Sequence, residues 1–290
     1  MISIIICNRK KVLDPKLENN IKSTIGIEYE IINIDNSDNR YNIFQAYNKG
    51  IQKSKYPYIC FMHDDILYHT VNWGKNIIDY FNDPAVGMIG VAGPTYISQL
   101  PGIWWGIENE KCRTGSIRQC NLDTDRFDLT RQHYTLYNPY NEKATEVVAL
   151  DGLFFCIKKE IFGDVSFDES YNGFHFYDID ISLQIKSKGY KLLCVYDVLI
   201  EHISVSNLSL EWVKASRVFF NKWKKLLPIT TCVYTEKQVK QIEENNLQTM
   251  LNLLSGNHVS LIKYYTLKEL LHLLFHFKQF VWKKIKKRIF

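Results

Sequence analysis

The chain runs to 290 residues, 46% hydrophobic and 23% charged, which is the make-up of an ordinary globular protein with room for one large α/β domain, an appendage and a substantial core. Its formal net charge of +5 is unevenly spread: residues 263–290 hold eight Lys or Arg against one Glu, and the whole chain's +5 less that +7 leaves −2 on the other 262 residues. A catalytic domain that binds nucleic acid usually carries a basic face of its own, so this distribution speaks against that class.

Residues Ile2 to Cys7 read as a buried strand. The segment lacks the basic n-region of a secretory signal and turns polar at Asn8-Arg9-Lys10. Leu17 to Ile25 has helical spacing, and Tyr29 to Ile34 reads as a second strand that ends at Asp35-Asn36-Ser37-Asp38. Ile43 to Lys53 suits a helix, Tyr58 to Met62 a third strand, and Trp73 to Phe81 a helix stopped by Asn82-Asp83-Pro84. Val86 to Ala92 is a further short strand. Strands alternating with helices predict a mostly parallel, Rossmann-like sheet flanked by helices. From about residue 93 to 145 the periodicity is lost among Pro, Gly, Trp, Tyr and polar groups. A long irregular segment inside a compact domain is usually functional or mobile.

Strands return at Glu146 to Leu150 and Gly152 to Ile157, followed by a helical turn at Lys158 to Phe162. Asp178 to Lys188 fits a helix closed by Gly189, and Tyr190 to Val195 and Val198 to Ile200 are strands. Amphipathic helices are expected over Ser209 to Leu227, ended by Pro228, over Glu236 to Leu254, and from about Leu267 to the C-terminus. The expected organisation is a domain over residues 1–227 and a helical extension over 228–290. No run of 18 apolar residues occurs, so no transmembrane helix is expected. The seven cysteines are odd in number and form no CxxC pair, which favours a reducing cytosol over a disulfide framework.

The third strand ends abruptly in His63-Asp64-Asp65. Burying carboxylates is costly unless they are paired or bound to metal. The carboxyl end of a parallel strand is where α/β folds place their ligands. Hard oxygen ligands there suit Mg²⁺ or Mn²⁺ holding a phosphate. The plainer reading is a polar loop with a helix cap.

Further groups follow in a set order: Ile34-Asp35-Asn36-Ser37, Ala46-Tyr47-Asn48-Lys49-Gly50, Leu150-Asp151-Gly152, Phe176-Tyr177-Asp178-Ile179-Asp180, His202 after the last strand, and Phe219-Phe220-Asn221-Lys222-Trp223. Taken singly, each reads equally well as a turn, a cap or packing. In this order, over roughly residues 1–225, they resemble the family 2-like nucleotide-sugar glycosyltransferases with the GT-A fold. The resemblance implies that Asp35, Asn48 and Asp64 contact the nucleotide-sugar donor. It implies that Asp65 and His202 bind the metal, with His63 standing where the family has the first Asp of Asp-x-Asp. Asp178 matches the general base of inverting members, while Tyr177 and Gln184 replace a Glu and an Arg of the pattern.

Asp151 and Asp180 are expected on the acceptor side. Trp104 and Trp105 join them, since indole faces stack on sugars; packing of a loop against the core accounts for the two tryptophans equally well. Lys222 reads as a phosphate contact or as part of a solvated helix face.

The expected protein is a Mn²⁺- or Mg²⁺-dependent, inverting glycosyltransferase. It would move a sugar from a nucleoside-diphosphate donor, uridine diphosphate by resemblance, to a glycan or glycolipid. Two other readings stay open: a sugar-phosphate nucleotidyltransferase, against which the lack of a Gly-rich loop at Cys7-Asn8-Arg9-Lys10 speaks, and a non-catalytic sugar-binding protein on the same fold. Leu267, Leu270, Leu271, Leu274, Phe275, Val281, Trp282 and Ile285 form an apolar stripe beside Lys283, Lys284, Lys286, Lys287 and Arg288. A basic amphipathic helix of this kind over residues 267–290 either lies on anionic lipid or packs on protein, within this chain or in a further copy of it. The expected location is cytoplasmic, with the tail on the inner face of the membrane.

Overall fold

The computed structural model describes residues 1–107, 109–119, 133–203 and 209–256. Strand β1 (Ile2–Asn8) is a run of buried isoleucines, as fits a strand covered on both faces. Its two faces enter different cores: Ile5 packs with Phe44 and Tyr47, whereas Ile4 and Ile6 pack with Leu17 and Ile21. Helix α1 (Pro15–Thr24) starts at Asp14, whose carboxylate accepts from the Lys16 N–H. Pro15 sits in the first turn, where its missing N–H has no helical partner to lose. Strand β2 (Tyr29–Asp35) leads to helix α2 (Ile43–Lys53). A capping box opens α2: the Asn42 side chain accepts from the Gln45 N–H, and the Gln45 side chain accepts from the Asn42 N–H. Strand β3 (Tyr58–Met62), the short β4 (Ile66–Tyr68), helix α3 (Trp73–Tyr80) and strand β5 (Val86–Gly90) follow.

Strands β6 (Ala92–Pro94), β7 (Tyr96–Ile97), β8 (Arg113–Gln119) and β9 (His133–Tyr137) occupy the stretch where the sequence shows no period. The remainder is β10 (Ala144–Val147), β11 (Phe154–Lys158), helix α4 (Tyr177–Ser187), β12 (Lys191–Val195), β13 (Ile200–His202), helix α5 (Leu210–Trp223), β14 (Ile229–Thr230) and helix α6 (Glu236–Gly256).

The main sheet has the order β10-β12-β5-β11-β3-β1-β2. β1 is parallel to β2 and β3, and β5 to β12; β11 is antiparallel to both β3 and β5, and β10 to β12. Five of the seven strands therefore run the same way, and the expected mostly parallel sheet is present. β10 closes earlier and β11 opens later than expected, because residues between them bond to a different strand. The Val148 N–H reaches the Pro94 carbonyl and the Asp151 N–H the Ala92 carbonyl, at 2.9 and 2.8 Å.

A second sheet has the order β4-β13-β8-β6, with β9 on β8. Its strands are short and find their partners far along the chain, so no local period announces them.

Helix α6 packs back onto the domain. Buried Glu243 accepts hydrogen bonds from the Tyr96 and Ser98 hydroxyls and the Gln99 N–H, and buried Asn246 accepts from the Ile103 N–H at 3.1 Å. Among the described residues no helix is long and apolar enough to cross a membrane. The helix expected from Leu267, with its basic stripe, lies outside the described residues.

Candidate active site

Three distant segments meet at the carboxyl end of β3. The His63 N–H bonds to the Leu153 carbonyl at 3.0 Å, one step beyond the Met62–Phe154 pair of β3 and β11. That contact lays Asp151-Gly152 beside His63. Pairing of β4 with β13 sets His202 opposite Ile66, and the Ile203 N–H bonds to the Asp65 carbonyl at 3.3 Å. At the start of α4, Phe176 takes a left-handed φ of 67°, an unfavourable conformation for a bulky residue. Its ring is held between Trp212 and Phe219, with centroids at 5.4 and 5.0 Å, and the turn delivers Tyr177 and Asp178 to the site.

Asp65 Oδ1 lies 3.8 Å from His63 Nδ1 and 3.6 Å from His202 Nε2, and the two ring nitrogens are 3.4 Å apart. One ligand atom from each of the three residues falls within 4.8 Å of the others. Asp65 Oδ1 is buried and makes no hydrogen bond. Leaving such an oxygen without a donor costs on the order of 1–3 kcal/mol, which a cation at this point would offset. Burial pushes both imidazoles below their ordinary pKa. For His63 this wins over the pull of Asp65 and Asp64, and for His202 the neighbouring His63 adds to it. Neutral imidazole is the form that ligates metal. Two imidazole nitrogens and one carboxylate oxygen suit Mn²⁺ and its transition-metal neighbours better than Mg²⁺, which favours an oxygen shell. The residues present therefore fit a divalent ion.

Asp64 is engaged by Arg9. The guanidinium Nη2 stands 2.7 Å from Asp64 Oδ1, Nε 3.2 Å from Oδ2, and the Arg9 N–H also reaches Oδ2 at 3.2 Å. Nη2 extends to Asp65 Oδ2 at 3.5 Å. Burial by itself would raise the Asp64 pKa, but the Arg9 bonds outweigh it and hold the carboxyl below its usual range.

Asp178, half-buried, accepts the Gly152 N–H on Oδ2 at 2.8 Å. Burial first, and then the Asp151 carboxylate, push its pKa up to about 7. Burial also raises Asp151. A carboxyl poised near 7 has the basicity that proton abstraction at neutral pH requires. The Tyr177 hydroxyl donates to the Gly152 carbonyl at 3.0 Å and lies 2.9 Å from His63 Nε2.

Two pockets flank this centre. One, of about 360 Å³, is lined by residues including Cys7, Arg9, Asn36, Tyr47, Asp64 and Asp65. The other, of about 260 Å³, is lined by residues including Trp104, Trp105, Asp151, Asp178, His202 and Trp212. His63, Phe174 and Tyr177 belong to both and form the divide. Both volumes lie near the lower end for ligand sites, about 300 Å³, which suits one moiety on each side. The Trp104 wall rests on α6: a Cβ at Gly102 would stand 2.1 Å from Asn246 Nδ2, so only glycine lets the two meet.

Of the residues singled out in the sequence, Asp64, Asp65, His63, His202, Asp151, Asp178, Trp104 and Trp105 converge here. Three do not. Asn48 is turned to another loop, bonding the Phe167 carbonyl and N–H at 2.8 and 3.2 Å and Glu169 at 2.8 Å. Asp180 is 1% exposed and saturated by Tyr171, Gln184, Lys222 and Trp223, so it anchors α4 to α5 and faces neither pocket. Lys222 bridges Asp168 and Asp180. Asp35 is exposed at the end of β2, accepting the Ser37 N–H at 3.0 Å, and it is Asn36 that lines the pocket. Gly50 gives α2 its close approach to β1, since a Cβ there would lie 2.4 Å from Ile5 Cγ2.

Sequence reasoning overlooked Arg9 as a partner of Asp64. A cation just past the first strand, in a chain whose third strand ends in two carboxylates, was the available signal.

The model of a glycosyltransferase-like family matches residues 3–223. No curated protein matches the chain. Among solved structures, S. aureus TarS (residues 1–349) is 11% identical, with 92% of this chain and 76% of that chain covered and a TM-score of 0.51. The same protein in complex with UDP gives 11% identity, coverage of 94% and 78%, and a TM-score of 0.50. GalNAc-T7 with UDP, GalNAc and Mn²⁺ is 17% identical over 85% of this chain, with a TM-score of 0.44, and this chain spans 48% of it.

Proposed function

With the chain a member of the glycosyltransferase-like family, and its sheet that of the GT-A fold, we propose that it is a metal-dependent, inverting glycosyltransferase acting on a nucleoside-diphosphate sugar. The observation that carries this is the cluster of His63, Asp65 and His202 ligand atoms, with His63 and His202 lining the same pocket as Asp178. The nucleotide and diphosphate occupy the pocket of Arg9, Asn36 and Asp64, and the acceptor occupies the pocket of Trp104, Trp105, Asp151 and Asp178. UDP in the TarS complex, a protein of the same fold, supports uridine as the base.

Asp178 Oδ2 accepts the Gly152 N–H, which orients the carboxylate that takes the acceptor's hydroxyl proton. The acceptor oxygen then forms its bond to the anomeric carbon as the bond from that carbon to the β-phosphate oxygen breaks, and the bonding electrons leave with the diphosphate. Asp178 lines one pocket and Arg9 and Asp64 the other, and this separation supports a base placed opposite the leaving diphosphate, as a single displacement with inversion requires. A divalent ion held by His63, Asp65 and His202 would supply Lewis-acid stabilisation of the leaving diphosphate. Arg9 shares that load from the donor side as a guanidinium that matches phosphate geometry.

The direct test follows nucleoside diphosphate release and thermal shift over a panel of nucleotide sugars with Mn²⁺, Mg²⁺ or EDTA. Stabilisation and release with one donor, dependent on metal, is the expected result; folded protein that responds to no donor under any condition sinks the reading. Arg9→Ala is expected to raise the donor KM about 10-fold, the loss of one charge-assisted contact, and to leave the acceptor KM in place. An unchanged donor KM would remove Arg9 from the diphosphate site.

We also propose that residues 267–290 dock on anionic lipid and so bring a lipid-linked acceptor within reach. Co-sedimentation with phosphatidylserine vesicles, weakening as salt rises, is expected; no sedimentation at low salt refutes it.

A further inference from the structure

Tyr177 is 5% exposed at the divide between the two pockets, and its hydroxyl, which also neighbours that of Tyr47, meets two groups with opposite demands. The Gly152 carbonyl, 3.0 Å away, can only accept a hydrogen bond, so the single hydroxyl proton is committed to it. His63 Nε2 lies 2.9 Å from the same hydroxyl oxygen, and with that proton spent the ring nitrogen must be the donor. A neutral imidazole carries hydrogen on one nitrogen only, which leaves Nδ1 of His63 with a bare lone pair. Nδ1 is the atom that faces Asp65 Oδ1 and His202 Nε2, at 3.8 and 3.4 Å. The relay has little freedom to shift. A Cβ at residue 152 would stand 2.0 Å from the Tyr177 oxygen, and the phenol ring is held edge-on by Tyr47 with centroids 5.5 Å apart.

We propose that Tyr177 is a positioning residue that locks His63 in the Nε2–H tautomer and so makes Nδ1 a ligand for a divalent transition ion. The inference rests on the reading of His63, Asp65 and His202 as the metal site. Ligating histidines generally need a partner on the far nitrogen to set tautomer and ring orientation, and here the partner is a phenol backed by a main-chain carbonyl. The two departures from the family motif, His63 for Asp and Tyr177 for Glu, then form one device. A carboxylate ligand has no tautomer to set, whereas a histidine does; and an ionised carboxylate at 177 would meet the Gly152 carbonyl with no proton to offer it.

Tyr177→Phe removes the hydroxyl and keeps the ring. Titration of the full chain with Mn²⁺ alone, followed by electron paramagnetic resonance, is expected to show about 10- to 100-fold weaker binding. In a His63→Ala background the same substitution is expected to change the affinity by less than about twofold, because Tyr177 acts only through His63. The tautomer is read independently on the metal-free wild-type chain from the His63 ring-nitrogen shifts. Protonated Nε2 with bare Nδ1 is expected, and the reverse pattern overturns the proposal whether or not the variant folds. Equal Mn²⁺ affinity in wild type and Tyr177→Phe overturns it while leaving the metal site in place. A loss of the same size with and without His63 overturns it too. Wild-type protein that fails to bind Mn²⁺, or binds it unchanged after Asp65→Ala, removes the metal-site reading and this inference together.

Discussion

Asp178→Asn is expected to abolish sugar transfer, lowering kcat by about 10²- to 10⁴-fold, and to stabilise the fold above neutral pH. The two effects share a cause. Desolvation of the Asp178 carboxyl, and then the neighbouring Asp151, push its pKa up to about 7 in the folded chain from an ordinary 3.8. Below about pH 3.8 both folded and unfolded chains keep the proton. Between 3.8 and 7 the unfolded chain releases it and the folded chain holds it, so stability falls as pH rises through that window, by up to about 1.4 kcal/mol per pH unit. Above 7 the anion stands beside Asp151 at a cost on the order of a few kcal/mol.

Asparagine cannot ionise, yet its amide oxygen can still accept the Gly152 N–H that Asp178 accepts at 2.8 Å. The variant should therefore melt higher than the parent at pH 8, with the difference shrinking towards pH 4. In the parent, kcat should rise with pH through about 7 as the base ionises. Asp151, Tyr177, His63, His175 and His202 face the same pocket, and the substitution isolates Asp178 among them. Full turnover by Asp178→Asn, or a variant less stable than the parent at pH 8, would remove Asp178 from the role of base.

Asp65→Ala is expected to eliminate high-affinity Mn²⁺ binding and to cut turnover by about 10³-fold, comparable to chelation of the wild type. The leaving diphosphate gathers charge as its bond to carbon breaks, and loss of one preorganised electrostatic partner typically costs about 3–4 kcal/mol of transition-state stabilisation. The metal-free fold should suffer little, because Asp65 Oδ1 makes no hydrogen bond and Oδ2 makes only the long 3.5 Å contact to exposed Arg9. Calorimetric titration with Mn²⁺, beside turnover in EDTA and after metal is restored, separates the outcomes. Restored metal should rescue wild type and leave Asp65→Ala inactive. Undiminished transfer in EDTA would show that the reaction proceeds without the ion.

Helices α1 and α2 and strands β1 and β3 were legible because their signals are local. Apolar spacing marks the helices, and apolar runs mark strands covered on both faces. The order of carboxylates and His202 along the chain was legible too, and it pointed to the fold and to Asp65 and Asp178. What each polar residue faces was not. Asn48 and Asp180 fit the motif as well as Asp64 does, yet Asn48 fastens the loop at Phe167 and Asp180 ties α4 to Trp223. Residues one turn apart on a helix differ in what they meet only after the helix has docked.

The sequence by itself determined the alternation of strand and helix and the mostly parallel sheet, since these rest on period and spacing, while its motif order, by resemblance to the family, marked the carboxylate-ended strand and Asp178. The tertiary structure decided that His202 lies opposite Ile66, that Arg9 grips Asp64, that Tyr177 joins His63 to Gly152, and that α6, beyond the family-matched residues, braces the wall of Trp104. Each of these contacts joins residues dozens to more than a hundred positions apart. Such contacts are set by strand register and helix docking, which minimise the free energy of the whole core and leave no mark in any local window of sequence.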